Sequence, residues 1–264
     1  MNVLLIGAGR MGSALLRGWL KSGVKSIAVV EPKPSLELRR LAKAKKIALV
    51  SALSKVKAKP AVCVVAVKPQ ILNAEAAVLA AFARSSLMIS IAAGTSVATL
   101  SKAWNRGARI IRAMPNMPGA IGQGITGLYA AQGVTSGDRK KAVWLLSALG
   151  GTEWLAKEGL IDSVTAVSGS GPAYVFLFAE ALTAAGISEG LSTVQAEKFA
   201  RATVAGAGAL LAADESPASA LREAVTSPGG TTAAALSVLM AEDGLAPLVK
   251  RAVRAAKKRA EELR

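Results

Sequence analysis

The strongest constraint on the fold of this chain is a glycine-rich turn near its first residue. Residues 3–6 are apolar, and glycines follow them in the pattern G-x-G-x-x-G. Glycines at this spacing permit a tight turn after a strand and bring the backbone close to a pyrophosphate at the N-terminus of a helix. The pattern therefore predicts a dinucleotide-binding turn. Its candidate coenzyme residues are Gly7, Ala8, Gly9, Arg10, Met11 and Gly12.

Short apolar runs recur through the first half of the chain, and helix-period segments separate most of them. This alternation is typical of a parallel sheet covered by helices on both faces. Two further strands and one helix, over 125–130, 152–156 and 136–149, extend the pattern. The main predicted strands span 3–7, 27–31, 48–50, 61–67, 87–92 and 109–114, and the helices lie near 11–22, 35–45, 70–83 and 95–104.

Strand patterns stop near residue 160, and the remainder is rich in alanine with a helical period. Small residues allow helices to approach closely, so this part is expected to pack partly against another subunit. The predicted fold is an α/β Rossmann domain over 1–158 followed by an all-α domain over 159–264. The predicted helices of the second domain span 170–185, 191–213, 216–225, 230–242 and 245–262.

Side chains after the second predicted strand favour two different coenzymes. Glu31 stands where a carboxylate accepts hydrogen bonds from the adenosine ribose of NAD(H). Lys33 and Ser35, followed by Arg39 and Arg40, could instead surround the 2′-phosphate of NADP(H). The sequence therefore predicts NADP(H) or NAD(H), with the cations favouring NADP(H).

Further coenzyme candidates lie where the later strands end, which is where ligands bind in open α/β sheets. Val67, Lys68 and Pro69 follow the fourth strand, Ala93 the fifth and Asn116 the sixth. Lys68 either lines the coenzyme cleft or points into solvent. Asn116 either offers its amide to the nicotinamide ribose or serves as a plain turn residue.

A second glycine-rich turn lies in the helical half, where SPGGTT precedes an apolar helical run. Proline in the first turn, backbone N–H groups exposed by two glycines, and several hydroxyls suit a small anion such as a carboxylate. An ordinary capped helix start would explain the same residues. The candidate substrate residues are Ser227, Gly230, Thr231 and Thr232.

Composition removes several kinds of chemistry. The chain has no histidine, which excludes Ser-His-Asp and Cys-His catalysis and the commonest zinc ligand, and no metal site is expected. Its single cysteine, Cys63, lies in an apolar run and is expected to be a buried, reduced thiol. With no apolar run of about 18 residues and no secretory signal pattern, we expect a cytoplasmic protein without a membrane partner.

The formal net charge of +16 raises the possibility of nucleic-acid binding. The basic residues are scattered along the chain, and aromatic residues, which would stack on bases, make up only 4%. A solvated basic surface is therefore the preferred interpretation, and no nucleic-acid partner is expected.

Taken together, these motifs resemble those of the pyrroline-5-carboxylate reductases. The likeness runs nearly from end to end, and the last two of its six segments are the most specific. The matching segments are GAGRMG, AVKPQ, AAGTS, RAMPNMPGAIGQG, LIDSVTAVSGSGPAY and LREAVTSPGGTTAAAL. Departures occur at Leu53 and Ala224, where some relatives have asparagine, and at Met240, where a polar residue is usual.

The resemblance implies an enzyme that transfers hydride from NAD(P)H to the C=N bond of 1-pyrroline-5-carboxylate, giving L-proline in the last step of proline biosynthesis. It implies a helical domain that interlocks with a partner's to form a homodimer, with dimers often built into a decamer. The active site would then lie at the dimer interface. By residue, it implies that the glycine turn holds the pyrophosphate, that Val67, Lys68, Ala93 and Asn116 line the coenzyme cleft, and that Ser227, Gly230, Thr231 and Thr232 hold the substrate carboxylate.

A protonated imine is already electrophilic, so the protein need mainly position the reactants. Our hypothesis is that Thr232, or water held by it, lies near the imine nitrogen, while Glu158 favours its positive charge. A β-hydroxyacid dehydrogenase is the nearest alternative, with Lys198 as its acid/base, but the second turn offers hydroxyls and glycines instead. A nucleic-acid-binding protein without catalysis, or a purely structural oligomer, would leave one of the two turns unexplained.

Overall fold

The computed structural model describes residues 1–57, 59–67 and 69–263. Its first part alternates strands and helices, as the periodicity predicts, and its last part is helical. The elements are β1 (Asn2–Ile6), α1 (Arg10–Lys21), β2 (Ser26–Val30), α2 (Leu36–Lys43), β3 (Ala48–Val50), β4 (Val62–Val65), α3 (Pro69–Ala74), α4 (Ala76–Ala83), β5 (Leu87–Ser90), α5 (Val97–Trp104), β6 (Ile110–Met114), β7 (Gly124–Ala130), α6 (Ser136–Leu146), β8 (Gly150–Trp154), α7 (Leu160–Val164), α8 (Gly171–Ser188), α9 (Thr193–Ala213), α10 (Ala218–Ala224), α11 (Thr231–Leu239) and α12 (Leu245–Glu262).

The eight strands form one sheet in the order β3-β2-β1-β4-β5-β6-β7-β8. All neighbouring strands are parallel except β6 and β7, which are antiparallel. The first six strands have the Rossmann order. The order in which strands are added to the sheet reverses between β1 and β4, which leaves a crevice at their carboxyl ends. The predicted α/β Rossmann class is therefore confirmed.

Apolar clusters on the two faces of the sheet form the core of this part. One cluster surrounds α1, where Trp19 is 1% exposed and donates its indole N–H to the Leu145 carbonyl oxygen at 2.7 Å. The other contains Trp104 and Cys63. Burial raises the pKa of the Cys63 thiol to about 12, outweighing a hydrogen bond with Ser86, so the thiol stays protonated.

The structure divides by packing into two compact units. The first contains Met1–Gly169 together with the residues from Ala256 onward, and the second contains Ser170–Ala255. The packing boundary thus lies eleven residues after the boundary predicted at 158, because α7 packs against β6 and β7 and buries Ile161. A single-turn π-helix, Thr165–Gly169, which the sequence did not predict, completes the first unit.

Several other local features differ from the predicted elements. The helix predicted over 70–83 is two helices separated at Glu75, which has φ −101° and ψ 10°. Three short 3-10 segments occur that the periodicity does not reveal, because each is too short to show a repeat. They are Leu53–Lys55, Met117–Ile121 and Ser147–Leu149.

The second unit buries little within itself. Helices α8 and α9 pack against each other, but between Ser170 and Ala255 only Ala196 and Ala200 are buried. A contiguous group of large apolar side chains on α8 is exposed, which marks an interaction surface. The group is Val175, Phe176, Leu177 and Phe178.

The expectation that no segment is long and apolar enough to span a bilayer was wrong. Within the described residues, the helical stretch Leu160–Ser188 meets the length and hydropathy for a span. This stretch is not one uninterrupted apolar run, because α7, the π-helix and α8 join several shorter ones. Length and composition alone are weak evidence for a membrane helix, and the same exposed apolar surface suits a protein interface.

A buried carboxylate fixes the start of α6. Asp138 and Thr135 form a reciprocal capping box, and Arg109 of the loop before β6 donates to both carboxylate oxygens at 2.8 and 2.9 Å. Burial by itself raises the pKa of Asp138, but hydrogen bonds from Thr135 and Arg109 outweigh burial and leave that pKa below its usual value. The ionised form is therefore the stabilising one.

Replacing Asp138 by Asn is expected to lower the free energy of unfolding at neutral pH by about 1–3 kcal/mol, because the amide cannot replace the ion pair. The contribution is complete above the unfolded pKa of about 3.9 and disappears as the pH falls through the lower folded pKa. Urea unfolding at neutral pH and at about pH 3 measures it. Glu153→Gln, on exposed β8, is the control. A deficit of equal size at both pH values would contradict the assignment.

Candidate active site

In the glycine turn after β1, other atoms of the chain leave no room for a side chain at Gly7 or Gly12, whereas Gly9 faces open space. Gly7 has φ +88°, and a Cβ there would lie 2.7 Å from the Ala66 carbonyl oxygen and 2.6 Å from Val67 Cγ1. A Cβ on Gly12 would overlap the Gly7 carbonyl oxygen. A Cβ on Gly9 would meet nothing within 4 Å, and Gly9 has an ordinary φ of −65°. The space beside Gly9 therefore fits an approaching ligand, as a pyrophosphate requires.

Backbone donors surround that space. Gly9 precedes α1 with no side-chain cap, so the first N–H groups of the helix, from Arg10 and Met11, have no partner within it. Ser13 holds the turn by donating its hydroxyl to the Ala8 carbonyl oxygen at 2.7 Å. The arrangement offers positive potential and free donors to an anion.

Glu31 lies beside this turn, directly after β2. One carboxylate oxygen accepts the Ala8 N–H at 2.9 Å, and the other accepts the Lys33 N–H at 3.1 Å. Ser35 caps α2 by accepting the Leu38 N–H, and Arg39 Nε donates to the Pro34 carbonyl oxygen at 3.3 Å. The carboxylate thus ties the turn to Lys33. Of the cations predicted to bind a 2′-phosphate, Lys33 precedes α2, and Arg39 and Arg40 lie within it.

The structure describes Val67 and Ala93 among the remaining predicted coenzyme residues, but not Lys68 or the side chain of Pro69. Val67 contacts the glycine turn, and Ala93 is exposed after β5. Pro69 begins α3, but its side chain lies outside the described atoms, and Lys68 lies outside the described residues. The ligand roles of these residues remain predictions.

Asn116 has a structural task that the sequence did not reveal. Its Oδ1 accepts the Ile125 N–H at 3.0 Å, and its Nδ2 donates to Ser168 Oγ at 3.1 Å. The amide therefore joins the loop after β6 to the start of β7 and to the π-helix. Its predicted contact with the nicotinamide ribose stays a prediction.

Glu158 belongs to a cluster of charges that includes a buried arginine. Its Oε1 accepts the Val97 N–H at 2.7 Å and also pairs with Arg112 Nη1 at 3.0 Å. Arg112 is 2% exposed, and its Nη2 lies 4.0 Å from Asp162 Oδ1. Sequence reasoning missed Arg112, although a lone cation within the buried strand IIRAM is a usable signal, because such a charge needs a partner.

The second glycine turn lies in the second unit and leads directly into α11. Gly229 has φ +69°, and the Gly230 N–H donates to the Ser227 carbonyl oxygen at 3.0 Å. Gly230 precedes Thr231, the first residue of α11, and no side chain caps this helix. Its first N–H groups, including that of Thr232, therefore lack a partner within the helix and can bind an anion.

The predicted site residues thus fall into both units. The coenzyme residues and Glu158 belong to the first unit, and Ser227, Gly230, Thr231 and Thr232 belong to the second. Within the ranges that the structure describes, no three His, Cys, Asp or Glu side chains gather as a metal-binding group.

Comparison with known proteins gives consistent matches over the whole chain. A family model described as pyrroline-5-carboxylate reductase dimerisation matches residues 158–263, and one described as NADP oxidoreductase coenzyme F420-dependent matches residues 2–94. Pyrroline-5-carboxylate reductase of Pseudomonas aeruginosa is 39% identical over 99% of this chain and 96% of its own length. The Mycobacterium leprae enzyme is 37% identical over 100% and 97%.

Solved structures agree with these sequence matches. The structure of a pyrroline-5-carboxylate reductase from Coxiella burnetii superposes with a TM-score of 0.91 at 34% identity, covering 99% of this chain and 98% of the other. The Plasmodium falciparum pyrroline carboxylate reductase with NADP bound gives a TM-score of 0.83 at 27% identity, covering 100% and 98%.

The two glycines of the first turn should respond differently to alanine. Gly7→Ala is expected to lower the free energy of unfolding by about 2–4 kcal/mol, because a positive φ and backbone overlap act together. Gly9→Ala should cost less than about 1 kcal/mol, since the added methyl group meets only open space. Urea denaturation of both variants measures the difference. Equal losses would mean that Gly9 is also required by the packing of the chain.

Proposed function

The chain belongs to the pyrroline-5-carboxylate reductase family, and on that premise we propose which reactant each of its two glycine turns binds. The enzyme is an NAD(P)H-dependent oxidoreductase that reduces the C=N bond of 1-pyrroline-5-carboxylate to give L-proline, the last step of proline biosynthesis. The turn at 7–12 binds the coenzyme pyrophosphate. The turn at 227–232 binds the substrate carboxylate.

The start of α11 is the observation that carries the substrate half of this proposal. No side chain caps the helix, so its first backbone N–H groups remain for a ligand. A five-membered ring carrying one carboxylate offers a single negative group for these donors. Ser227, Thr231 and Thr232 add hydroxyl groups on the same short segment. The helix start is therefore suited to fix one end of the ring.

The chemical step asks little of the protein beyond this positioning. The bound nicotinamide supplies the hydride. A protonated imine is already a good electrophile, so the chain acts by orienting the ring and by stabilising charge at its nitrogen. We assign the contact with that nitrogen to the Thr232 hydroxyl, directly or through water. The described contacts of Glu158 all lie within the first unit, so its role beside the imine stays a prediction.

Thr232→Ala is expected to lower kcat/KM for pyrroline-5-carboxylate by about ten- to a hundredfold, which corresponds to one lost hydrogen bond in the transition state. Thr232→Ser keeps the hydroxyl and should lose no more than about threefold. The decrease in reduced-coenzyme absorbance, with and without substrate, measures both variants. Full activity of Thr232→Ala would exclude the assigned contact.

The lean towards NADP(H) rests on the region after β2. The Glu31 carboxylate is already bonded to two backbone N–H groups, whereas Lys33 and Arg39 keep positive charge beside the same segment. The 2′-phosphate of NADPH carries the negative charge that these cations attract. A relative of known structure has NADP bound, which supports the same preference.

Arg39→Ala is expected to raise KM for NADPH by about tenfold and to leave KM for NADH unchanged, because only NADPH has the phosphate. Lys43→Ala, in the last turn of the same helix, is the matched control. Steady-state kinetics with both coenzymes measure the ratio. If both KM values rise equally, Arg39 does not discriminate between the coenzymes.

The assembly and location follow from the same family membership. The chain forms a homo-oligomer through its helical part, which matches the dimerisation model, and the exposed apolar side chains of α8 supply a suitable surface. We propose a homodimer that completes the active site and assembles further into a decamer; light scattering distinguishes two chains from ten. We propose a cytoplasmic location, which suits the reduced, buried Cys63.

A further inference from the structure

The charged cluster around Glu158 holds the segment that connects β5 to α5, residues 91–96, which we name the β5 loop. We propose that Glu158 is a positioning residue that fixes the β5 loop for coenzyme binding, and that buried Arg112 fixes Glu158. The inference rests on the proposed function, because that function gives Ala93 of the β5 loop its place in the coenzyme cleft. It assigns Glu158 a task different from contact with the imine.

Glu158 is bonded to the start of α5. Val97 is the first residue of α5, so its N–H has no acceptor within the helix. Glu158, 61 residues further along the chain, supplies that acceptor at 2.7 Å. A carboxylate at a helix N-terminus is also favoured by the helix dipole. The end of the β5 loop is thus tied to a distant segment by a charged hydrogen bond.

Arg112 orients the Glu158 carboxylate. Arg112 lies on β6, the strand next to β5, and is almost completely buried. Its guanidinium contacts the same oxygen of Glu158 that accepts the Val97 N–H. A buried guanidinium strongly favours a fixed anionic partner. The pair therefore sets the direction of the carboxylate and, through it, the position of Val97.

The β5 loop itself has a constrained conformation at Gly94. Gly94 has φ +70°, and a Cβ there would come within 2.7 Å of the Leu263 carbonyl oxygen. Thr95 is buried, whereas Ala93 is exposed. Ser96 caps α5 by accepting the Thr99 N–H at 3.1 Å. At the other end of the loop the Ile91 N–H donates to the Val65 carbonyl oxygen at 3.0 Å, so Glu158 supplies a long-range anchor where the loop meets α5.

Two variants test the hydrogen-bond acceptor of Glu158 separately from its negative charge. Glu158→Ala removes both, and it is expected to raise the Kd for NADPH, measured by fluorescence titration without substrate, by about tenfold. It should also speed amide hydrogen exchange across residues 93–100. The double variant Arg112→Met with Glu158→Gln keeps an oxygen acceptor for Val97 and removes both charges of the Arg112–Glu158 pair. Its Kd for NADPH should return to within about threefold of the parent value.

Glu153→Ala, an exposed carboxylate on β8, is the matched control and should leave the Kd and the exchange unchanged. Thermal unfolding of each variant identifies any protein that has failed to fold; in that case the double variant alone decides, and a Kd close to the parent value supports the inference. The inference is overturned if the Glu158 variants bind NADPH normally but lose kcat at saturating coenzyme, since Glu158 would then act on the substrate. It is also overturned if the double variant folds and binds NADPH as weakly as folded Glu158→Ala.

Failure of the proposed function has a different signature. If the unaltered enzyme binds NADPH but does not oxidise it in the presence of pyrroline-5-carboxylate, the reductase assignment fails. The effect of Glu158 on NADPH binding would still be measurable, because the titration contains no substrate.

Discussion

The close approach of two strand ends is the constraint on which the rest of the site depends. Gly7 has no room for a side chain because Ala66 and Val67, at the end of β4, lie against it. This approach follows from the parallel pairing of β1 with β4, the point where the strand order of the sheet reverses. Helix α1 therefore begins at the crevice, directly after the glycine turn. The free space beside Gly9 lies within the same turn.

Carboxylates connect this crevice to its surroundings. The chain has 17 acidic residues against 33 basic ones, and Glu31, Asp138 and Glu158 are among the acids that accept hydrogen bonds from backbone N–H groups at the start of a loop or helix. Glu31 accepts from Ala8 and Lys33, Asp138 caps α6, and Glu158 accepts from Val97. Arginine partners hold the last two in place. Hydrogen bonds to an ionised carboxylate are stronger than those between neutral groups, so these side chains hold the backbone segments that they accept from.

The sequence predicted the elements well and the side-chain partnerships poorly. Most strands and helices were predicted correctly because period and glycine spacing are local properties, visible within a few residues. The Arg112–Glu158 pair spans 46 residues, and the Asn116–Ser168 bond spans 52, so neither can be read from a local pattern. The packing boundary at Gly169 depends on α7 lying against β6 and β7, which no local pattern shows either.

The helical unit leaves large apolar side chains uncovered within its own fold. Between Ser170 and Ala255 the buried residues are two alanines, whereas several phenylalanine, leucine and valine side chains are exposed. Burying one such large side chain contributes about 1.5–3 kcal/mol, and alanine contributes far less. The unit therefore gains most of its core when a second copy covers these side chains. Because α11 begins within this unit, we expect its first turn to become fully ordered only in the oligomer.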